Sequence, residues 1–357
     1  MEFFKSDTKR AVDAKYEAQK IAFAPVAFQA ARSLRDLGIL ELIGKNSRGG
    51  GLTEEEVSKT LGLSLYGARV LMEAGLGMGL LCVNDEKYTI TKTGHFILKD
   101  QMTIVNMNFV HDVCYLGLFN LKESIVSGKP EGLKVFGEQW NTVYEALSKL
   151  PSDIQKSWFE FDHFYSDIAF PEVLPLIFKH NPRMIFDVGG NTGKFSLQCV
   201  KYSPDVKVKI VDLPGQWAMA EKNIREAGFI ERVSGYPINL LNKEETFPKG
   251  ADAVWMSQFL DCFSEEEIIS ILSRAKEAIG KDGAIYILET YWDRQDFEAA
   301  AFSLQQTSLY FTNIANGNSQ MYHSKNMIKC IHKAGLYVDE DIDGIGISHT
   351  LFRCKIK

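Results

Sequence analysis

The segment Met184–Ser196, MIFDVGGNTGKFS, constrains the fold more than any other part of this sequence. A short apolar run leads to Asp187, and a glycine turn then precedes a segment with the pattern of a helix start. A strand that delivers such a turn to a helix N-terminus presents unpaired backbone N–H groups, which makes a ligand site lined by backbone. The alternative is that the glycines only let the helix pack closely against the strand.

From about residue 182 onward, apolar runs alternate with amphipathic segments. The runs are RMIFDV, VKVKIVDL, ADAVWM and GAIYILE, and segments such as EEEIISILSRAKEAIG separate them. This alternation predicts a parallel sheet with helices on both faces. The tail GLYVDEDIDGIGISHTLFRCKIK contains two consecutive strand patterns with no helix between them, which predicts an antiparallel pair at one edge.

Residues up to about 100 have the outline of a winged helix. Thr53 and Glu56 form a capping-box pattern at the start of a helix–turn–helix, and the alternation around Asn84–Asp85 predicts a β-ribbon. The helix that would read DNA, SLYGARVLMEAG, carries Arg69 as its only base together with Glu73. Because this charge suits a phosphate surface poorly, we expect packing or dimerisation rather than DNA binding.

Residues 101–181 read as a helical connector that contributes to a substrate pocket. The segment SWFEFDHFYSDIAF within it is rich in aromatic residues and contains His163. A single histidine in such a run is either packed and hydrogen-bonded or takes part in proton transfer, and the sequence leaves both roles open.

Composition excludes several classes of protein. The 357 residues exceed what one core usually supports, and 45% hydrophobic with 24% charged residues is ordinary for a globular protein. No apolar run reaches membrane-span length, and the first residues lack the layout of a secretion signal, so we expect a cytoplasmic protein. Six widely spaced cysteines argue against disulfides and zinc, and a net charge of -6 gives no reason to expect a nucleic-acid partner.

Two phosphate-binding motifs can be tested against the glycine turn. A dinucleotide fingerprint that starts at Gly189 meets Asn191 and Lys194 where it requires glycines. A P-loop requires four residues between its glycines, whereas Gly189 and Gly193 enclose only three. The turn therefore does not match either phosphate motif.

The pattern that remains is Asp187-x-Gly189-Gly190-x-x-Gly193, with a second acid, Asp212, at the end of the next predicted strand. A carboxylate in that place can accept hydrogen bonds from both hydroxyls of a ribose. The turn has no pyrophosphate to bind, so its N–H groups can bind the carboxylate of an amino acid while nearby acids favour the ammonium. Ribose and amino acid together are the outline of S-adenosylmethionine.

The segment FDVGGNTGKFSLQCVKYSPDVKVKIVDLPGQ resembles the first two motifs of the S-adenosylmethionine-dependent O-methyltransferases of the plant-caffeate and bacterial polyketide type. The resemblance implies a winged-helix dimerisation domain over residues 1–100 and a Rossmann-like, seven-stranded methyltransferase domain with an antiparallel edge strand over residues 182–357. It also implies a homodimer, a small phenolic or other hydroxylated aromatic acceptor, the product S-adenosylhomocysteine and no metal. Asn191 stands where the family has a third glycine, a mild departure because Asn tolerates a left-handed backbone.

The resemblance also implies roles for individual residues. Asp212 would bind the ribose and Leu213 would contact the adenine, while Asp187, Gly189 and Gly190 would lie along the methionine part. The other positions it assigns to the cofactor are Asn239 and Leu240 near the adenine, and Ser257 and Ser166 at the amino-acid end.

Methyl transfer to a phenol requires the phenol to lose its proton in line with the methyl group. The family uses a histidine for this, and the corresponding position here is Asp261. Burial could raise the pKa of Asp261 enough for a base, or Asp261 could cap the helix that starts near Ser264. Glu289 matches the family's first carboxylate, His163 is a candidate assistant, and GNSQMYHS contains no Glu to match the second carboxylate.

We therefore predict a methyltransferase that either uses Asp261 as its base or relies on positioning of an acceptor that ionises readily. The alternative is a protein of the same fold that binds S-adenosylmethionine without methyl transfer, or a ligand-sensing winged-helix regulator. A regulator would need a basic face on its first domain, which the sequence lacks. Whether oxygen, nitrogen or carbon accepts the methyl group is open, with oxygen favoured by the resemblance.

Overall fold

The chain forms two compact units in a computed structural model that describes residues 4–357. The first unit extends to His111, and the second runs from Asp112 to Lys357. The predicted connector, 101–181, contributes residues to both units. The division into three functional parts therefore stays a prediction.

The first unit is a helical domain with a small hairpin. Its helices are α1 (Ala11–Ala22), α2 (Ala24–Asp36), α3 (Ile39–Asn46), α4 (Glu54–Leu61), α5 (Leu65–Gly77), α6 (Lys92–Lys99) and α7 (Gln101–Phe109). Its hairpin joins β1 (Leu81–Asn84) to β2 (Lys87–Ile90). The core of the unit includes Leu34, Ile43, Val57 and Met72, all fully buried.

The predicted start of the helix–turn–helix is confirmed. The Thr53 hydroxyl accepts the N–H of Glu56 at 3.3 Å, and the Glu56 carboxylate accepts the N–H of Thr53 at 2.8 Å. In the hairpin, Asp85 and Glu86 have φ values of 46° and 63°, the conformation of a type I′ turn. The turn lies one residue later than predicted because Asn84 still pairs with the opposite strand.

Glu54 links the helix–turn–helix to the hairpin. Its carboxylate accepts hydrogen bonds from the Arg69 guanidinium at 2.6 Å and from the Tyr88 hydroxyl at 2.8 Å. Burial, followed by the hydrogen bond to Glu54, raises the pKa of Tyr88 to about 12. The one basic residue of the would-be recognition helix is therefore paired within its own domain.

The second unit is a layered α/β domain. Its helices are α8 (Leu121–Ser127), α9 (Val143–Ala146), α10 (Ser152–Phe178), α11 (Lys194–Tyr202), α12 (Pro214–Glu226), α13 (Glu265–Lys276), α14 (Glu298–Tyr310) and α15 (Ser324–Lys333). Its strands are β3 (Met184–Val188), β4 (Lys207–Asp212), β5 (Val233–Pro237), β6 (Ala251–Ser257), β7 (Ile279–Glu289), β8 (Leu336–Ile345) and β9 (His349–Ile356).

The seven strands lie in the order β5-β4-β3-β6-β7-β9-β8. Strands β3 to β7 pair in parallel, whereas β9 is antiparallel to both β7 and β8. The predicted fold class, a seven-stranded Rossmann-like sheet with an antiparallel edge, is confirmed. The strand order reverses between β3 and β6, and in open α/β sheets this point opens a crevice at the carboxyl ends of the strands.

Alternating residues of the strands pack on opposite faces of the sheet. Phe186 and Met256 belong to the core on the face covered by α13 and α15. Ile185 and Trp255 belong to the core on the other face, where α10, α11 and α12 pack and Phe195 stacks on Trp255 at 4.4 Å.

All six cysteines are free thiols. Over residues 4–357, no helix combines the length and the apolar character needed to cross a membrane.

Candidate active site

The glycine turn after β3 lies at the reversal of strand order. Gly189 has a φ of 69°, and a side chain there would place its Cβ 2.3 Å from the ring of Phe259, which follows β6. Only glycine fits this contact, because a non-glycine residue would meet both the strained backbone and the aromatic ring. The turn after β3 and the loop after β6 therefore contact each other directly.

The remainder of the turn has the geometry of a backbone-lined site. Gly193 precedes the first residue of α11 at a φ of 80°. Asn191, which stands where the family has a third glycine, takes a φ of 49°, the left-handed conformation that Asn tolerates. Asp187 accepts the Ser196 hydroxyl at 2.6 Å, and burial raises its pKa to about 7.

Asp212, at the end of β4, faces the turn. One carboxylate oxygen accepts the N–H of Leu213 at 2.7 Å and the other accepts the N–H of Asn191 at 2.9 Å. Burial raises the pKa of Asp212 to about 6, and the two backbone hydrogen bonds oppose that shift. Each oxygen keeps acceptor capacity for a further donor, as two ribose hydroxyls would require.

Several buried polar atoms around this crevice have no hydrogen-bond partner among the described residues. They are Asn191 Oδ1, Ser257 Oγ, Gln258 Oε1 and Glu289 Oε2. Buried polar groups are nearly always hydrogen-bonded, so such a set marks a place where a polar ligand completes the bonding. The residues present therefore fit a ligand with several donors and acceptors, such as an adenosyl amino acid.

Asn239 and Leu240 lie after β5. The side-chain oxygen of Asn239 accepts the backbone N–H of Leu241 at 3.0 Å. The backbone N–H of Asn239 donates to the Glu245 carboxylate at 3.1 Å. Its oxygen therefore retains one lone pair for the adenine amino group. Leu240 is 7% exposed and belongs to the core cluster under the sheet, so little of its side chain is available to cover a ring.

Ser166 and His163 lie on α10. The Ser166 hydroxyl donates to the carbonyl of Asp162 at 3.1 Å, so its proton is already committed within the helix. His163 Nε2 lies 3.9 Å from a carboxylate oxygen of Asp162, and burial followed by the charge of Lys194 lowers the pKa of His163. Lys194 Nζ in turn pairs with Asp167 at 2.7 Å.

Asp261 lies in a 3-10 turn, Leu260–Cys262, and is 5% exposed. The cap of α13 is Ser264, whose hydroxyl accepts the N–H of Glu267 at 3.3 Å. The helix-cap alternative for Asp261 is therefore wrong, because Ser264 with Glu267 already completes a capping box. The Asp261 carboxylate instead accepts the Cys262 thiol at 3.5 Å, and the backbone N–H groups of Asp261 and Cys262 also oppose the rise of its pKa.

Glu289, at the end of β7, supports this turn. Its Oε1 accepts the N–H groups of Phe259 at 3.0 Å and Leu260 at 2.8 Å. Burial raises the pKa of Asp261, and burial together with the charge of Asp261 raises the pKa of Glu289 further. Burial thus makes both carboxyls hold a proton more readily than free carboxyls do, and two such neighbouring groups titrate as a pair.

Comparison with known proteins identifies the family. A family model described as a Dimerisation2-like domain matches residues 15–88, and the O-methyltransferase domain model matches residues 119–336. The chain belongs to the O-methyltransferase family. The resemblance stated from the glycine turn and its two acids is confirmed, and the chain is an S-adenosylmethionine-dependent methyltransferase.

Two curated relatives and one solved structure illustrate the similarity. This O-methyltransferase family member is 24% identical to L-tyrosine C(3)-methyltransferase of Streptomyces lavendulae over 318 residues, which is 88% of this chain and 85% of the relative. It is 24% identical to 3-hydroxy-5-methyl-1-naphthoate 3-O-methyltransferase of Streptomyces sahachiroi over 241 residues, 67% of each chain. The apo structure of the S-adenosylmethionine-dependent methyltransferase SibL shares the fold, with a TM-score of 0.70 at 23% identity over 94% of this chain and 98% of that one.

The sequence did not single out Asp162, the residue before His163. Asp162 lies on α10 with 27% of its side chain exposed, and burial followed by the charge of Asp261 raises its pKa to about 7. Of the two neighbours in this aromatic run, only His163 was a predicted candidate. Across residues 4–357, no three His, Cys, Asp or Glu side chains are grouped so as to hold a metal ion.

Proposed function

We propose that this methyltransferase transfers the methyl group of S-adenosylmethionine to a small hydroxylated aromatic acceptor, with Asp261 as the base. The observation that carries the proposal is the placement of Asp261. It is buried in the loop after β6, it is free of a capping role, and Glu289 fixes the backbone on its N-terminal side.

The cofactor site is proposed from the crevice between the turn after β3 and the loop after β6. When bound, S-adenosylmethionine supplies a methyl group on a positively charged sulfur. Asp212 would bind the ribose and Leu213 the adenine, while the N–H groups near Gly189 and Gly190 would bind the amino-acid end. The remaining proposed contacts are Asp187, Asn239, Leu240, Ser257 and Ser166.

The base has to remove one proton from the acceptor hydroxyl as its oxygen forms a bond to the methyl carbon. Asp261 would take that proton, and S-adenosylhomocysteine would leave with the electron pair of the broken carbon–sulfur bond. A positioned base of this kind contributes about 10² to 10⁴ in rate. His163 is the second candidate for proton transfer, since its lowered pKa keeps the ring neutral.

The names of the relatives support an aromatic acceptor and leave its attacked atom open. The name of the first relative gives a carbon as the atom that receives the methyl group, and the name of the second gives an oxygen of a hydroxylated ring. Loss of the phenolic proton activates both the oxygen and the ring carbon beside it. The same Asp261 base would therefore serve either outcome. No relative reported above favours the alternative of a protein that binds the cofactor without methyl transfer.

A homodimer through the first unit is the second part of the proposal. Exposed apolar side chains are concentrated on its first helices and on α5, namely Val12, Tyr16, Ile21, Phe23, Val26, Tyr66 and Val70. Apolar surface of this kind typically marks a protein interface. The double substitution Phe23→Glu with Val26→Glu should convert a dimer to a monomer in analytical ultracentrifugation. A wild-type protein that sediments as a monomer at micromolar concentration would contradict the dimer.

A cytoplasmic location and the absence of nucleic-acid and membrane partners also belong to the proposal. The pairing of Arg69 with Glu54 supports the absence of a nucleic-acid partner, because it offsets the one positive charge of the would-be recognition helix.

Calorimetric titration with S-adenosylmethionine and S-adenosylhomocysteine tests the proposal. Wild type should bind both with micromolar Kd, and Asp212→Ala should lose at least tenfold in affinity. Asp205→Ala, a change at an exposed acid before the same strand, is the matched control and should bind as wild type. Absence of binding by folded wild type would contradict the assignment of the site.

A further inference from the structure

Residues 239–245, which we call the β5 loop, are held by one side chain from a different element. Arg274 of α13 donates from Nη1 to the carbonyl oxygens of Asn242 at 3.2 Å and Glu245 at 2.9 Å, and from Nη2 to the carbonyl oxygen of Leu240. A guanidinium presents its N–H donors in a rigid plane, so a single side chain can hold several carbonyls in fixed relative positions. Arg274 therefore ties three residues of the β5 loop to α13.

The β5 loop consists of two consecutive turns. The N–H of Asn242 donates to the carbonyl of Asn239 at 2.9 Å, and the N–H of Glu245 donates to the carbonyl of Asn242 at 3.2 Å. The Glu245 carboxylate also accepts the backbone N–H of Asn239 at 3.1 Å and the side-chain amide of Asn242 at 3.1 Å. Glu245 thus closes the loop from within, while Arg274 holds both of its turns from outside.

The β5 loop begins beside the proposed ribose acid. Asp212 and Pro237 are partners at the ends of β4 and β5, and the N–H of Ile238 donates to the carbonyl of Asp212 at 2.8 Å. Asn239 is the next residue, and its side-chain oxygen is oriented by the N–H of Leu241 at 3.0 Å. The base of an adenosyl ligand is bonded to its ribose, so a group beside Asp212 is in the place to contact the base.

The order of the β5 loop depends on these hydrogen bonds. Leu240 is its one buried residue, and Lys243 and Glu244 are exposed. A surface loop with little buried apolar area is readily displaced when its hydrogen bonds are removed. A polar group discriminates between ligands only when it is held in position before the ligand binds. The side chain that holds the loop therefore controls how well Asn239 can select a base.

We propose that Arg274 is a positioning residue of the adenine subsite, which holds the β5 loop so that the Asn239 oxygen accepts a hydrogen bond from the 6-amino group of the purine. This inference rests on the proposed function, which assigns Asn239 to the adenine. A purine with a 6-oxo group presents an oxygen to the Asn239 oxygen and leaves both without a donor. Arg274 thereby sets the preference of the site for a 6-amino purine.

Two product analogues that differ in the base test this role. S-adenosylhomocysteine carries the 6-amino group, whereas S-inosylhomocysteine carries a 6-oxo group and an added proton on the ring. In calorimetric titration, wild type should bind the adenosyl compound at least tenfold more tightly than the inosyl compound. Arg274→Met keeps an unbranched side chain and removes all of the donors. Its ratio of the two affinities should fall below threefold, because the adenosyl compound alone loses a hydrogen bond.

A second variant opens the β5 loop from the inside. Glu245→Gln retains one oxygen for the N–H of Asn239, but its amide nitrogen cannot accept from the side chain of Asn242. The affinity ratio should fall in the same direction as in Arg274→Met. This variant keeps the test valid if Arg274→Met does not fold, which a melting curve reports.

Arg232→Met is the matched control. Arg232 also donates to three backbone carbonyls, those of Val200, Ser203 and Pro204, but it precedes β5 at the opposite end of the strand from the β5 loop. Its loss should lower the melting temperature and leave the affinity ratio at the wild-type value. A change in the ratio that is specific to Arg274 and Glu245 therefore reports positioning of the loop rather than general stability.

A ratio of threefold or more in folded Arg274→Met would overturn the inference, as would a wild-type ratio below tenfold. An equal fall of the ratio in Arg232→Met would also overturn it, because lost stability would then account for the effect. If Arg274→Met is unfolded, a wild-type ratio in Glu245→Gln has the same meaning. Failure of wild type to bind S-adenosylhomocysteine would instead contradict the proposed function, so the two failures are distinguishable.

Discussion

Glu289 accepts the backbone N–H of Leu260 at 2.8 Å and thereby fixes the residue that precedes Asp261. The same oxygen accepts the N–H of Phe259, and the second oxygen has no partner among the described residues. Glu289 is thus a positioning residue. Its accepting oxygen matters more for holding the turn than its charge does.

Glu289→Gln should therefore be nearly silent, whereas Glu289→Ala should be damaging. Glutamine retains an oxygen for both N–H groups, and burial raises the pKa of Glu289, which favours the uncharged side chain that glutamine resembles. Alanine leaves two buried donors unsatisfied at about 1 kcal/mol or more each, so the free energy of unfolding should fall by about 2 to 4 kcal/mol. Denaturant unfolding and kcat measure both effects, and equal losses in the two variants would show that the charge itself matters.

Asp261→Asn should lower kcat by about 10² to 10⁴ at neutral pH and leave the Kd for S-adenosylhomocysteine within threefold. In wild type, the rate should decline as pH falls through the raised pKa of Asp261, because only the ionised carboxylate accepts a proton. Ser264→Ala is the matched control, since it removes the cap of α13 and costs about 1 kcal/mol of stability without affecting the base. If Asp261→Asn had the kcat of wild type, Asp261 would not be the base, and positioning of the acceptor alone would account for methyl transfer.

The free energy of unfolding of the ligand-free protein should decline as pH rises from about 5 to 7.5. Burial raises the pKa of Asp187 and Asp162 to about 7 and that of Asp212 to about 6, against about 4 in the unfolded chain. The folded protein therefore holds more protons across this window, and the stability contribution of each group is lost as pH rises through its folded pKa. His349, whose pKa burial lowers to about 4, acts oppositely and weakens the fold below about pH 6.5.

In Asp187→Asn, the free energy of unfolding should fall less as pH rises, by up to about 4 kcal/mol. The reason is that the substitution removes a difference of about three units in pKa between the folded and unfolded states. Asparagine can still accept the Ser196 hydroxyl. Chemical denaturation at several pH values measures the slope, and Asp205→Asn on the exposed surface serves as control. An unchanged slope in Asp187→Asn would mean that Asp187 is ionised throughout.

Gly189→Ala should disrupt the cofactor crevice. The new methyl group would lie 2.3 Å from the Phe259 ring on a backbone with positive φ, so the ring and the turn have to separate. We expect at least tenfold weaker S-adenosylhomocysteine binding and a loss of about 2 kcal/mol in stability. Gly215→Ala has open space and an ordinary φ in α12, so it should bind normally. Wild-type affinity in Gly189→Ala would show that the contact is dispensable.

Most of the fold could be predicted from the sequence because the patterns that indicate strands and helix starts are local. Apolar runs such as RMIFDV and the Thr53–Glu56 capping box depend on residues a few positions apart. The left-handed conformation of Asn191 was predictable for the same reason. The cap of α13 was predictable too, since Ser264 and Glu267 have the same spacing as Thr53 and Glu56, and the role considered for Asp261 as a cap was an error of interpretation.

The acidic site was predictable only in part. Asp261 follows β6 and Glu289 ends β7, and the family resemblance located both by their spacing from the strand patterns. The raised pKa of Asp162 comes from burial and then from the charge of Asp261, which lies almost one hundred residues away in sequence on another element. No local pattern contains that information, because desolvation depends on which elements the fold brings together.

Glu54 couples two separate elements of the first domain. One carboxylate holds both the recognition-helix arginine and the wing tyrosine. A mutation that freed Arg69 for a phosphate would also release Tyr88 and leave its hydroxyl without an acceptor. Loss of this one carboxylate would therefore loosen the helix and the hairpin together, so Arg69 cannot be freed by that route without disturbing the hairpin.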